Sequence, residues 1–178
     1  MRGHRFGVMA ACSVVALWLT AGVPVAGGQG PGSEALTIIV HRANPISALT
    51  MKELRRIFML ETQTWPHGRK ITVVLREKGQ PERAEAIRLI CGMSEPEFEH
   101  HVLYQTFRGS VDRGPRSIQS ASAMLRFIFN TPGAIGYVRA DEVDDTVKVI
   151  PIDGRLPGEP GYPLRRATGV GRAGAPAW

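Results

Sequence analysis

Short apolar runs alternate along this chain with stretches whose apolar residues recur every three or four positions. Ala35–Val40 (ALTIIV) and Ile71–Leu75 (ITVVL) are unbroken and β-branched, as expected of strands covered on both faces. Ala134–Val138 (AIGYV) and Val147–Ile152 (VKVIPI) read the same way, and Pro151 puts the last at an edge or strand end. The pattern predicts strands near 36–40, 71–75, 134–138 and 147–151. Between them lie helical patterns. Thr50 and Glu53 form an S/T-x-x-E capping box, and Leu54, Ile57 and Phe58 follow as one apolar face. Pro81 suits the first turn of a helix running to about Ile90, with Ala84, Ile87, Leu89 and Ile90 as candidates for burial and Gly92 as the stop. Ser94 and Glu97 open a third helix that sends Phe98, Val102 and Phe107 toward the core. After an irregular loop at 108–116, Ser117–Asn130 reads as a fourth, with Met124, Leu125, Ile128 and Phe129 on its apolar side. Strands alternating with helices indicate an α/β fold, a mostly parallel sheet flanked by helices.

The ends differ in composition. Residues 1–27 combine Arg2, His4 and Arg5, an apolar run from Phe6 to Leu19, a break at Gly22 and Pro24, and small residues at Ala26–Gly28. This is the succession of a secretory signal peptide rather than a membrane anchor, because the break leaves the apolar run short for a span. The mature chain is then periplasmic or secreted, with no membrane segment. Mass spectrometry of the periplasmic fraction is expected to find a mature N-terminus near residues 27–29; an intact Met1 chain in the membrane fraction would contradict it. Residues 28–34 form a Gly/Pro-rich linker, 35–153 the α/β domain, and 154–178 a tail with six Gly, four Pro and four Arg and no periodic apolar pattern.

The formal charge of +6 falls to +4 without residues 1–27, which carry two arginines and no acid. That excess favours anionic partners weakly and lacks the clustered Lys/Arg of a nucleic-acid surface. After cleavage one cysteine remains, Cys91, on the apolar side of a helix, so an internal disulfide is ruled out and a buried, inert thiol is expected. No nucleophile–base motif, P-loop or HExxH is present, and no cofactor is implied. His100 and His101 are adjacent on a helix, about 100° apart, and do not converge on one metal ion. Trp65, in the Trp-Pro-His-Gly turn, reads as a cap on the sheet edge in preference to a ligand-stacking residue. Arg76 ends the second strand. Ligands of open α/β sheets bind outside strand carboxyl ends, so Arg76 is either an anion ligand or an ordinary surface arginine.

An ordered series of stretches resembles the periplasmic phosphate-binding-protein-like domain, the type II solute receptors of ABC transporters. These are TIIVHRANPISALTMKELRRIF at 37–58, TWPHGRKITVVLR at 64–76, FRGS at 107–110, TPGAIGYV at 131–138, VKVIPIDG at 147–154 and GYPLRR at 161–166. The resemblance implies essentially one lobe of a two-lobed receptor, not an enzyme, with a closing strand around Tyr162-Pro163-Leu164. It also implies a small phosphate-like oxyanion, or a periplasmic or transporter protein, as partner. In phosphate receptors the arginine after the strand precedes a Ser-Gly-Thr loop at a helix start. Arg76 and Gly79 match; Gln80-Pro81-Glu82 stands in place of Ser-Gly-Thr. That exchange removes two hydroxyl donors and one amide N–H and adds a carboxylate, so weak or absent anion binding is expected. The expected site is Arg76, Gly79 and Gln80, with the Asn44-Pro45 turn opposite. The alternative is an interaction protein that keeps the fold as a scaffold.

Overall fold

The computed structural model describes residues 35–111 and 114–166. The expected signal peptide, the linker and residues 167–178 lie outside them. The elements in order are β1 (Leu36–His41), α1 (Met51–Phe58), β2 (Thr72–Arg76), α2 (Pro81–Ala86) running into a π-helical turn (Ile87–Cys91), α3 (Glu95–Phe107), β3 (Arg116–Ile118), α4 (Ala121–Asn130), β4 (Ala134–Arg139) and β5 (Val147–Val149).

The strands form one sheet in the order β3-β2-β4-β1-β5. β2 runs parallel to both β3 and β4, whereas β1 runs antiparallel to both β4 and β5. Four strands therefore share a direction and β1 alone is reversed. The sheet is mostly parallel, as expected, and the reversal of β1 has consequences for the site. Both faces are covered, as the unbroken apolar strands require. Leu36, Ile38 and Val40 of β1 point to one side with Val73, Leu75, Ile135 and Tyr137, beneath α1, the π-helical turn and Phe98. Ile39, Val74, Ala134 and Val138 face the other side, beneath Met124, Leu125 and Ile128 of α4.

Helix α1 follows its sequence closely. The Thr50 hydroxyl accepts from the Glu53 amide at 3.2 Å, and the Glu53 carboxylate accepts from the Thr50 amide at 2.8 Å. Leu54, Ile57 and Phe58 are buried. Replacing Ile57 with alanine is expected to cost about 2–5 kcal/mol, a typical loss for a buried isoleucine. Urea unfolding measures it, and a change within experimental noise would show that Ile57 is not core.

Other expectations are corrected. Ala84 is exposed, while Arg83, Glu85 and Ala86 are buried and Leu89 is half-buried. The α2 face toward the body thus carries charges held by ion pairs. Phe107 is 83% exposed and Phe129 51%, so neither packs on the sheet. Phe107 ends α3, whose buried contact is Phe98 near its start. Phe129 lies one position, about 100°, beyond the inward Ile128. Residues 116–118 are not loop and helix but the edge strand β3; the helix begins after Ser120, whose hydroxyl accepts from the Ala123 amide at 3.1 Å. The tail is packed as far as it is described. Tyr162 and Leu164 are buried, the Tyr162 hydroxyl donates to Leu36 O at 2.9 Å, and Leu164 O accepts from the Leu36 amide at 2.9 Å. These contacts lie against the start of β1; the resemblance implied a closing strand around Tyr162-Pro163-Leu164, and there the structure has an isolated bridge between Ala35 and Arg165.

Candidate anion site

At the carboxyl end of β2 the backbone of Arg76 is held on both sides. Its amide donates to the Tyr137 hydroxyl at 3.1 Å, and its carbonyl accepts from Arg83 Nη1 at 2.9 Å. Tyr137 is fully buried; desolvation raises its pKa and keeps the hydroxyl protonated. Arg83 is itself neutralised, by a bond from Nε to Glu95 and an approach of Nη2 to Glu99 at 3.7 Å. The scaffold under Arg76 is therefore fixed and electrically satisfied.

The side chain of Arg76 is not. Its Nε and Nη1 are buried and have no hydrogen-bond partner among the described residues. Buried guanidinium donors without acceptors are rare, and each lost pairing costs free energy. The expected competitor, Glu82, is engaged elsewhere. Its Oε1 accepts from Arg139 Nε at 3.3 Å. Burial pushes the Glu82 carboxyl up, but a bond from its own backbone amide and the nearby Arg139 and Arg76 outweigh this and hold it below the usual carboxylate range. Glu82 therefore stays charged, contributes to the field at Arg76, and leaves its hydrogen-bonding groups open.

Around this pair lies a wider charge set that sequence reading missed. Glu85, 5% exposed, approaches Arg139 Nη2 at 4.0 Å and Arg166 Nε at 3.6 Å. Arg139 ends β4 as Arg76 ends β2, so the strand-end rule that singled out Arg76 applied to it equally. Gly79 and Gln80 do lie beside Arg76, in the turn into α2. Gly79 has φ +81° and the Gln80 amide donates to Glu77 O at 3.2 Å, but the Gln80 side chain makes no cap to the helix.

Asn44 is not part of this site. β1 is antiparallel to β4, with Leu36 opposite Arg139 and Val40 opposite Ile135, while β2 sets Val73 opposite Ile135. Arg76 is thus level with the start of β1, and Asn44 lies past its far end, about 17 Å or more away along the strand at roughly 3.4 Å per residue. Trp65 is core: its Nε1 donates to Gly133 O at 3.0 Å, which supports the cap reading. Cys91 is buried, and desolvation pushes its thiol up to about 12. His101 Nε2 lies 3.0 Å from Met59 O, tying α3 to the end of α1.

The fold agrees with what the comparisons find. A family model described as the PBP superfamily domain matches residues 32–159. The chain belongs to the PBP superfamily. Among solved structures, an ABC-type phosphate transport receptor from Vibrio cholerae is similar at 25% identity, with a TM-score of 0.56, covering 69% of this chain and 48% of that one. A substrate-binding protein of a phosphate ABC transporter from Clostridium perfringens, solved with bound phosphate, shares 23% identity and a TM-score of 0.56 over 69% and 46% of the two chains. PstS from Borrelia burgdorferi shares 16% identity and a TM-score of 0.56 over 74% and 54%. The chain spans about half the length of these relatives. No curated protein matches it. Among the described residues, no helix is long and apolar enough to cross a membrane.

Proposed function

We propose that this PBP-superfamily domain is an exported solute-binding module that takes a small phosphate-like oxyanion weakly, at Arg76, in or beside a phosphate-type uptake system. The observation that carries the reading is the pair of buried, unpartnered donors on Arg76. Nε and Nη1 lie on different edges of the guanidinium, and each can give a charge-assisted hydrogen bond to an oxyanion acceptor. Affinity is expected in the millimolar range, about −4 kcal/mol, because Glu82 repels an anion and Gln80-Pro81 supplies no hydroxyl donor. Calorimetric titration of the secreted chain with phosphate and with sulfate tests this. Micromolar phosphate binding would show that the loss of Ser-Gly-Thr matters little.

A second reading, an interaction protein that keeps the fold as a scaffold, is favoured by the exposed Leu103, Tyr104 and Phe107 on α3. Absence of any oxyanion binding at tens of millimolar, weaker than about −3 kcal/mol, would favour it.

A further inference from the structure

We infer that a pocket of about 200 Å³ lined by His41, Asn44, Pro45, His67, Arg69 and Pro132 is a second binding site, for a small organic carboxylate. It lies at the end of the sheet opposite Arg76, because β1 runs against the other four strands and delivers its carboxyl end there.

Asn44 is the observation that points to a ligand. Its residue is 6% exposed, and its Nδ2 is buried with no partner among the described residues. The orientation of the amide is set by its other atom. Oδ1 accepts from the Ile46 amide at 3.1 Å, so the nitrogen is the group left over. The backbone around it is pinned: the Asn44 amide donates to His41 O at 2.9 Å and Lys148 Nζ donates to Asn44 O at 3.0 Å. A donor this well buried costs stability unless something accepts from it.

The rest of the lining also offers donors. His41 Nδ1 accepts from the Ala43 amide at 3.0 Å, which leaves Nε2 as the ring's N–H. His67 stacks on Trp65, with rings 6.4 Å apart and 10° from parallel, and Arg69 follows it. The carbonyl of Gly133, also in the lining, is taken by both Trp65 Nε1 at 3.0 Å and the Thr72 amide at 3.1 Å. Among the described residues, no carboxylate lines the pocket. A lining of amide, imidazole and guanidinium donors selects a ligand that only accepts and carries negative charge. Pro45, Pro132 and Ala43 add carbon surface that a bare oxyanion does not use and a short aliphatic acid does.

The test is an NMR titration of the secreted chain with propionate, and separately with phosphate. It follows the Asn44 side-chain amide and the His41 and His67 ring signals. Propionate is expected to shift these saturably, and to do so equally in Arg76→Ala. Asn44→Asp keeps the oxygen that accepts from Ile46 but replaces the donor with a second oxygen; it is expected to weaken propionate binding about tenfold or more, about 1.4 kcal/mol. Arg69→Gln, at an exposed position that leaves the core untouched, is expected to weaken it severalfold and serves if Asn44→Asp does not fold. No saturable shift with propionate, or binding unchanged in either variant, would overturn the site. Equal saturation of the same signals by phosphate would overturn its assignment to carboxylates. Because Arg76→Ala leaves this pocket intact, failure here is separable from failure of the oxyanion site.

Discussion

Alanine at Gly133 is expected to destabilise the domain by about 2–6 kcal/mol. Gly133 has φ +105°, a conformation that costs an L-residue about 1–3 kcal/mol. A Cβ there would also sit 2.5 Å from the carbonyl oxygen of Lys70 and 3.2 Å from Arg69 Cγ and Cδ. Backbone cannot swing aside as a side-chain tip does. Here it is tied down, since the Gly133 carbonyl holds the Thr72 amide and Trp65 Nε1, and the β2–β4 pairing starts at Thr72 and Ala134. Relieving the overlap would shift the start of two central strands, an overpacking penalty of about 1–3 kcal/mol or more. Gly79 is the control. It has φ +81° with nothing within 4 Å of an added Cβ, so alanine there meets strain alone, about 1–2 kcal/mol. Urea midpoints of the two variants measure the difference. Equal losses would mean that the close approach of Gly133 to the Lys70 backbone is absent in solution.

What the sequence made readable was local. The Thr50–Glu53 box and the Leu54/Ile57/Phe58 phase depend on residues three or four apart, and both stand as expected. Arg76 was readable because it directly follows a buried β-branched run. Most of the misses depend on distant partners. Arg83 and Glu85 face inward because Glu95, Glu99, Arg139 and Arg166 meet them there, whereas an apolar-inside reading turned Ala84 inward instead. Asn44 lies at the far end of the sheet from Arg76 because β1 runs against the other four strands. The reversal of β1 appears only when strand order is known. β3 is three residues of mixed polarity, too short to show alternation, and exists through its pairing with Val74–Arg76. Tyr162 and Leu164 carry no periodicity, since each is anchored singly against the start of β1.

Arg76→Ala is expected to abolish oxyanion binding at the β2 end, and Glu82→Thr to strengthen it about tenfold or more. The first follows because the unpartnered donors belong to that one guanidinium, and its backbone contacts to Tyr137 and Arg83 survive truncation. A fold-intact variant that has lost these donors therefore reports the side chain alone. The second change acts twice. It removes a carboxylate that stays ionised beside Arg76, and it releases Arg139, whose Nε is held by Glu82 at 3.3 Å and whose Nη2 lies 4.0 Å from Glu85. Two guanidiniums at the ends of adjacent strands would then face the same anion, and threonine restores one hydroxyl donor. A tenfold gain is about 1.4 kcal/mol, within the range of a charge-assisted hydrogen bond. Calorimetric titration of both variants with phosphate measures the changes. Equal binding by the parent chain and Arg76→Ala would place the site elsewhere. Unchanged affinity in Glu82→Thr would show that the carboxylate bound to Arg139 is screened from the anion, and that the missing hydroxyl loop alone sets the weakness.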